Sequence, residues 1–322
     1  MNAALEAPTL DELLRRARAA GSPAGVSLVD GRGRRGARRT WSLLLAAAEV
    51  AAGRLAALGV ERGEPVVLAL GTGAEFLELW FGAVLRGALP VASAPPGGLG
   101  SSELAFRRLS AVVERIGARR VVGAESLARE ALALDLPALA SAVVTPAAVA
   151  ELAPAPFAAR APAEGDIAFL QLTSGSTGVP RAVRVTQRGA AHNPRAMLSA
   201  LACADPLLEA GLAAGGASCV SWLPLHHDMG LVGCLLSALA GGVDLLLAAP
   251  RTFLGRPETW LANLGSVPLA IAAASKPSGA KRWAKAAAVS GRTISAPHRA
   301  ARQPARSAPG SISGATRSAH RP

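Results

Sequence analysis

The sequence predicts an α/β fold of layered, largely parallel sheets with flanking helices, followed by a basic tail that builds no core. Three observations carry this expectation. Short β-branched or aliphatic runs alternate with longer stretches of helical period through the body of the chain. Of the 322 residues 51% are hydrophobic, which gives enough apolar surface for a sizeable core and excludes disorder over most of the length. Charge is divided sharply: residues 1–264 hold every Asp and Glu and balance to +2, whereas residues 265–322 hold no acid and supply +10 of the formal +12.

The elements follow in order. Leu10, Leu13, Leu14 and Ala17 share one face of a helix over about 10–20, and Val26 to Val29 reads as a strand. Asp30 to Arg39 is a Gly/Arg turn, and its five arginines fit a solvated hairpin tip. Thr40 or Ser42 can cap a helix that runs to about Leu58 and stops at Gly59. Pro65 to Leu70 is a buried strand, and Glu75 to Leu85 is a helix apolar on all sides, suited to packing between layers. Strand 89–92 ends at a Pro95-Pro96-Gly97-Gly98 loop. A helix over 103–116, a strand over 120–122, a helix over 126–134 and a short strand near 142–144 continue the alternation, and a Pro/Ala linker over 146–162 divides the body. Domain boundaries are therefore expected at 1–264, with a break near 146–162, and 265–322.

Several function classes are disfavoured. Cys203, Cys219 and Cys234 are odd in number and lack ligand spacing, so they are expected to be buried, reduced thiols rather than a disulfide frame, a metal site or a nucleophile. Met1 to Glu6 has no basic flank or apolar run, and a cytoplasmic location is expected. Met229 to Ala249 is the one stretch long and apolar enough to tempt a membrane assignment. Gly241-Gly242 and Asp244 divide it into a buried helix and a buried strand, so no membrane span is expected. Because the positive charge lies in the tail, nucleic acid is not expected as a partner of the body.

The chemistry concentrates in two segments. Ile167 to Leu172 reads as a buried strand and runs into Thr173-Ser174-Gly175-Ser176-Thr177-Gly178-Val179-Pro180-Arg181, with Ala182 to Val185 as a second strand. Glycines let backbone N–H groups converge on an oxyanion, hydroxyls add donors, and Arg181 adds charge. No Gly-Lys-Ser/Thr follows at Walker A spacing. The second segment is Ser221-Trp222-Leu223-Pro224-Leu225-His226-His227-Asp228-Met229-Gly230-Leu231. It sets a polar corner at the end of one apolar run and the start of another, where open α/β sheets bind ligands. Metal ligation by His226, His227 and Asp228 is the weaker alternative, because adjacent residues seldom all point at one ion, and no metal ligand is assigned.

The first segment resembles the phosphate loop of the adenylate-forming superfamily, Thr-Ser-Gly-Ser-Thr-Gly-x-Pro-Lys-Gly. The second resembles the Ser-Trp-Leu-Pro-x-x-His-Asp-Met-Gly-Leu segment of the fatty acyl-AMP ligase branch. The likeness extends over about residues 10–264 and includes Phe253-Leu254-Gly255-Arg256-Pro257-Glu258-Thr259-Trp260-Leu261. It departs from the family at Arg181-Ala182, where Lys-Gly is usual, and at His226, where an aromatic is common.

The resemblance implies ATP-dependent activation of a fatty acid to an acyl-adenylate, handed to an acyl carrier protein or a polyketide or nonribosomal peptide synthase. It implies ATP-binding roles for Thr173, Ser174, Gly175, Ser176, Thr177, Gly178 and Arg181. His227 would be catalytic, beside the carboxylate and the α-phosphate, with Asp228 orienting the loop. The family's Mg²⁺-binding Glu, ribose-binding Asp and mobile C-terminal domain are not recognisable here, so activity is expected to be impaired. An acyl-CoA synthetase or another adenylation domain is the rival within the superfamily. A non-catalytic fragment with a nucleic-acid-binding tail is the rival outside it. All three lysines, Lys276, Lys281 and Lys285, lie in the tail, which is consistent with a changed reading frame, an unrelated extension or a native basic arm.

Overall fold

The structure, a computed structural model, describes residues 7–96, 103–157, 160–173 and 180–272 and the backbone of 293–295. Helix α1 (Leu10–Ala19) is capped by Thr9, whose hydroxyl accepts from the Glu12 amide, and buries Leu10, Leu13, Leu14 and Ala17. Strands β1 (Gly25–Val29) and β2 (Arg39–Thr40) form the arginine-tipped hairpin. Helix α2 (Trp41–Ala57) starts at the Thr40 cap. Strand β3 (Pro65–Ala69), helix α3 (Ala74–Arg86) and strand β4 (Leu89–Ala92) follow, with α3 closed by Gly87 at φ +77°.

The next layer contains helix α4 (Glu103–Ile116), strand β5 (Arg120–Gly123), helices α5 (Glu125–Ala133) and α6 (Pro137–Ala142), strand β6 (Val143–Val144) and helix α7 (Pro146–Glu151). The segment expected as a Pro/Ala linker thus contains a helical turn, because Thr145 caps it and Pro146 suits the first helical position. It packs along α2: the Ala155 amide donates to the Gly53 carbonyl at 3.0 Å, and Val149 is buried.

Strands β7 (Ile167–Thr173) and β8 (Arg181–Thr186) are joined antiparallel. Helices α8 (Gln187–Ala204) and α9 (Pro206–Ala213) lead to β9 (Ala217–Ser221). A π-helix (Met229–Leu236), helix α10 (Ser237–Gly241) and strand β10 (Asp244–Ala248) take up the stretch that tempted a membrane assignment. Among the described residues no helix is long and apolar enough to cross a membrane. Helices α11 (Pro250–Gly255) and α12 (Pro257–Gly265) precede β11 (Leu269–Ala272), which pairs with β12 (Thr293–Ser295). β11 also lies in register with β9, and Val267, Ala270 and Ala272 join a small cluster with Val220, Leu246 and Leu264. The packed elements therefore run past Leu264 to Ala272.

Two sheets result, in the orders β6-β5-β3-β4-β7-β8 and β12-β11-β9-β10-β1-β2, parallel throughout except at β7/β8 and β1/β2. This is the α/β architecture expected from the alternating pattern. One core joins them: Trp80 of α3 meets Phe169 of β7 edge-on at 5.4 Å and belongs to the same cluster as Leu235 and Leu245. A Cβ on Gly82 would fall 2.8 Å from the Ala48 carbonyl oxygen, so α3 approaches α2 more closely than alanine there would permit. Cys219 and Cys234 are buried, as expected, but Cys203 is exposed, because the last turn of α8 turns it away from the core.

Candidate active site

The β7/β8 ladder fixes where the Ser/Thr/Gly loop begins and ends. Leu172 pairs with Ala182 and Thr173 with Arg181, so the loop leaves the sheet at the C-terminal end of β7 and returns at once beside it. Thr173 and Arg181 are both exposed at its mouth. Ser174, Gly175, Ser176, Thr177 and Gly178 lie outside the described residues.

The histidine segment leaves β9 at the same kind of position, the C-terminal end of a parallel strand. Ser221 turns the chain, its hydroxyl accepting from the Leu223 amide. The His227 amide donates to the Pro224 carbonyl at 3.1 Å, and the His227 carbonyl accepts from Gly230 and Leu231 at 3.0 and 2.9 Å. His227 thus closes a tight turn and opens the π-helix. A Cβ on Gly230 would lie 2.3 Å from the Pro224 carbonyl oxygen, so that turn depends on glycine.

His227 Nδ1 stands 2.7 Å from Asp228 Oδ1 and 3.3 Å from the Met229 amide nitrogen, while that amide is 2.8 Å from Asp228 Oδ1. The shorter contacts are satisfied together when Nδ1–H and the Met229 N–H both donate to the carboxylate. That assignment leaves Nε2 as the free edge of an exposed ring. In that arrangement the Asp228 carboxylate faces the Nδ1 edge of the imidazole. His226, largely buried, is driven toward its neutral form by desolvation and secondarily by the neighbouring charge of His227.

Nothing in the sequence marks the contact that joins the two segments. Gln171, buried in β7, donates from Nε2 to the His226 carbonyl at 3.0 Å and to the Leu172 carbonyl at 3.2 Å. Its Oε1 is buried without a hydrogen-bond partner among the described residues. The strand that enters the Ser/Thr/Gly loop is thus tied directly to the histidine turn. A strand glutamine at an inward position is the only sequence signal of this, and it carries no spacing to mark it.

A second contact ties the later likeness to the site. Trp222 stacks on Phe253 with ring centres 3.9 Å apart, Phe253 meets Trp260 edge-on at 5.8 Å, and Trp260 Nε1 donates to the Val220 carbonyl. Behind the turn, Cys219 and Cys234 face one another: the bond to the Cys234 sulfur and burial push the Cys219 thiol well above its usual pKa, whereas bonds from Cys219 and Ser221 outweigh burial and lower that of Cys234. Among the described residues no three His, Cys, Asp or Glu side chains are grouped closely enough to hold a metal ion.

Comparison with known proteins shows the family and the fold. Residues 16–287 match the AMP-binding enzyme family. A Caulobacter vibrioides protein provisionally named an acyl-CoA synthetase is 30% identical over 271 residues, 80% of this chain and 43% of that protein. A medium-chain-fatty-acid–[acyl-carrier-protein] ligase of Teredinibacter turnerae is 41% identical over 97 residues, 30% of this chain and 14% of that protein. A solved structure from a study of fatty acyl-adenylate ligases of E. coli and L. pneumophila superposes with a TM-score of 0.70 at 31% identity, covering 84% of this chain and 47% of that one. The L. pneumophila enzyme in complex with acyl adenylate and pyrophosphate shares the fold, with a TM-score of 0.63 at 22% identity over 85% of this chain and 45% of that one. The chain spans less than half the length of the Caulobacter protein and of these two structures. On the match over residues 16–287, the chain belongs to the AMP-binding enzyme family.

Proposed function

We propose that this chain carries the phosphate-binding and histidine segments of an enzyme that activates a fatty acid with ATP. A carboxylate oxygen attacks the α-phosphorus, the new P–O bond gives the acyl-adenylate, and pyrophosphate leaves with the electrons of the broken α–β bridge. Both reactants are anionic, so the site must neutralise charge and hold them in line. In this reading Thr173, Ser174, Gly175, Ser176, Thr177, Gly178 and Arg181 hold the β- and γ-phosphates. His227 presents Nε2 where carboxylate and α-phosphate meet and donates there as the imidazolium, whose Nδ1–H is accepted by Asp228. Mg²⁺ would supply charge neutralisation at the phosphates, but the described residues offer no ligand set for it, and no step here is assigned to it.

The observation that carries the reading is the Gln171 bond to His226, which holds the mouth of the phosphate loop and the histidine turn in one frame. The reading is tested by ATP–pyrophosphate exchange with a series of fatty acids, measured on the enzyme at the full length of its relatives. Exchange that requires a fatty acid supports it, and exchange that no fatty acid stimulates overturns it. The acceptor divides the two readings within the family. The Teredinibacter relative favours an acyl carrier protein, and the name of the Caulobacter relative favours coenzyme A. Supplying each acceptor to the preformed acyl-adenylate distinguishes them.

A further inference from the structure

Several arginines of the body pair with a carboxylate, and others do not. Arg15 with Asp11, Arg34 with Asp30, Arg38 with Asp244, Arg107 with Glu103 and Arg119 with Glu64 all lie within hydrogen-bonding distance. Arg115, Arg181 and Arg184 do not. None has a carboxylate within 4.0 Å among the described residues, yet all three line a single pocket of about 480 Å³. The rest of its wall is apolar: Pro65, Leu89, Ile116, Leu170 and Ala182. No acid lines it. The neighbouring pocket, which shares Arg184 and Leu89, contains Asp11 and Asp166, and Asp166 pairs there with Arg62 at 3.4 Å.

Each of the three arginines has a local alternative explanation. Arg115 is in the last turn of α4, where a cation complements the helix dipole. Arg181 stands at the mouth of the phosphate loop. Neither reason applies to Arg184, in the middle of β8 and paired with Leu170. Three arginines that line one apolar-walled pocket leave positive charge there without a counter-ion, which an anion entering it offsets. A single carboxylate would leave two charges uncompensated. A di- or triphosphate carries enough charge, and its oxygens match the planar fork of each guanidinium. The pocket adjoins the phosphate loop at Arg181 and extends away from it. Pro65 and Leu89 are the first residues of β3 and β4, so it opens at the N-terminal ends of those strands, whereas the phosphate loop leaves β7 at its C-terminal end.

We infer that Arg115 and Arg184, with Arg181, form a second anion site that takes a polyphosphate group, either free or on a lipid headgroup. The inference does not rest on acyl activation. It is tested on the 322-residue chain by calorimetric titration with sodium tripolyphosphate at low salt, and by sedimentation with phosphatidylcholine vesicles containing phosphatidylinositol bisphosphate. Arg115→Gln with Arg184→Gln should weaken whichever probe binds by about tenfold, the size expected for losing two charge-assisted contacts at a part-solvated site. Arg32→Gln, at the exposed hairpin tip, should leave it unchanged. Both replaced side chains are exposed, and unchanged circular dichroism confirms that the fold survives. Loss of tripolyphosphate binding identifies a free ligand, and loss of vesicle binding alone identifies a headgroup. Binding of both probes within twofold of the parent overturns the inference, as does binding of neither, or binding only of a poly-glutamate peptide.

Discussion

The Gln171 carboxamide donates to the His226 backbone carbonyl across 3.0 Å and so joins two segments 55 residues apart. It is a buried side chain holding a backbone, and its removal leaves the His226 carbonyl without that donor. Gln171→Leu should destabilise the chain by about 1–3 kcal/mol, the usual cost of orphaning a buried polar group. Denaturant unfolding measures this. A change below about 0.5 kcal/mol would mean that the histidine turn holds itself without the strand.

The phosphate loop and His227 should act at different stages. In the enzyme at full length, Thr177→Ala with Arg181→Ala should chiefly weaken ATP binding, because a triphosphate is charged before reaction begins. His227→Ala should instead lower turnover, by about 2.7–4 kcal/mol in the barrier, because charge redistributes where its ring points. Steady-state kinetics separates the two. Near-normal turnover with collapsed ATP affinity in His227→Ala would make the histidine a nucleotide-binding residue.

Gly230 is required by space. Its replacement by Ala puts a methyl group 2.3 Å from the Pro224 carbonyl oxygen, and backbone must move to relieve it. We expect Gly230→Ala to cost about 1–3 kcal/mol and to displace His227 with the turn. Thermal unfolding of Gly230→Ala against Gly255→Ala, a position with open space around its Cβ, is the comparison that checks it.

Glu64 makes stability depend on acid. Burial opposes its ionisation, but the two-pronged bond from Arg119, at 3.0 and 2.8 Å, and the Glu61 amide outweigh burial and hold its pKa below the ordinary 4.5. A depressed folded pKa gives stability that is present above pH 4.5 and lost as pH falls through the folded value. Glu64→Gln should therefore be less stable than the parent at neutral pH and converge with it in that acid window. Parallel pH–stability curves would show that the pair contributes nothing.

Without the rest of its relatives' length, the 322-residue chain should show little ATP–pyrophosphate exchange with any fatty acid. The described residues bring together no ligand set for Mg²⁺. Robust exchange by the purified chain would place a complete site within it.

The elements legible in the sequence were those whose apolar pattern is continuous. Trp80 and Phe81 sit in a helix apolar all round, and it lies between layers as that pattern demands. Helix α8 went unread because Gly189, Asn193 and a buried Pro194 interrupt its period, and only Thr186, whose hydroxyl accepts from the Gly189 amide, marks its start. The π-helix after His227 has the sequence pattern of an ordinary helix, since one extra residue per turn leaves no mark on hydrophobicity. Both chemical segments were legible because their residue types are specialised. The Gln171 link was not, because a strand glutamine has many partners open to it and only tertiary structure selects one.

The pairing of β1 with β10 sets a timetable. Val26 lies beside Leu245, and the Gly25 amide donates to Asp244 Oδ1 at 2.9 Å. During synthesis at about 5–20 residues per second, the strand made first therefore waits roughly 10–40 s for its neighbour to be made. Until then its parallel edge is open to other chains, and only the short β2 hairpin covers the opposite edge. Slower translation through the Ala217–Ala248 stretch would lengthen that exposure, so the yield of folded protein from a cell depends on codon speed far from the strand at risk.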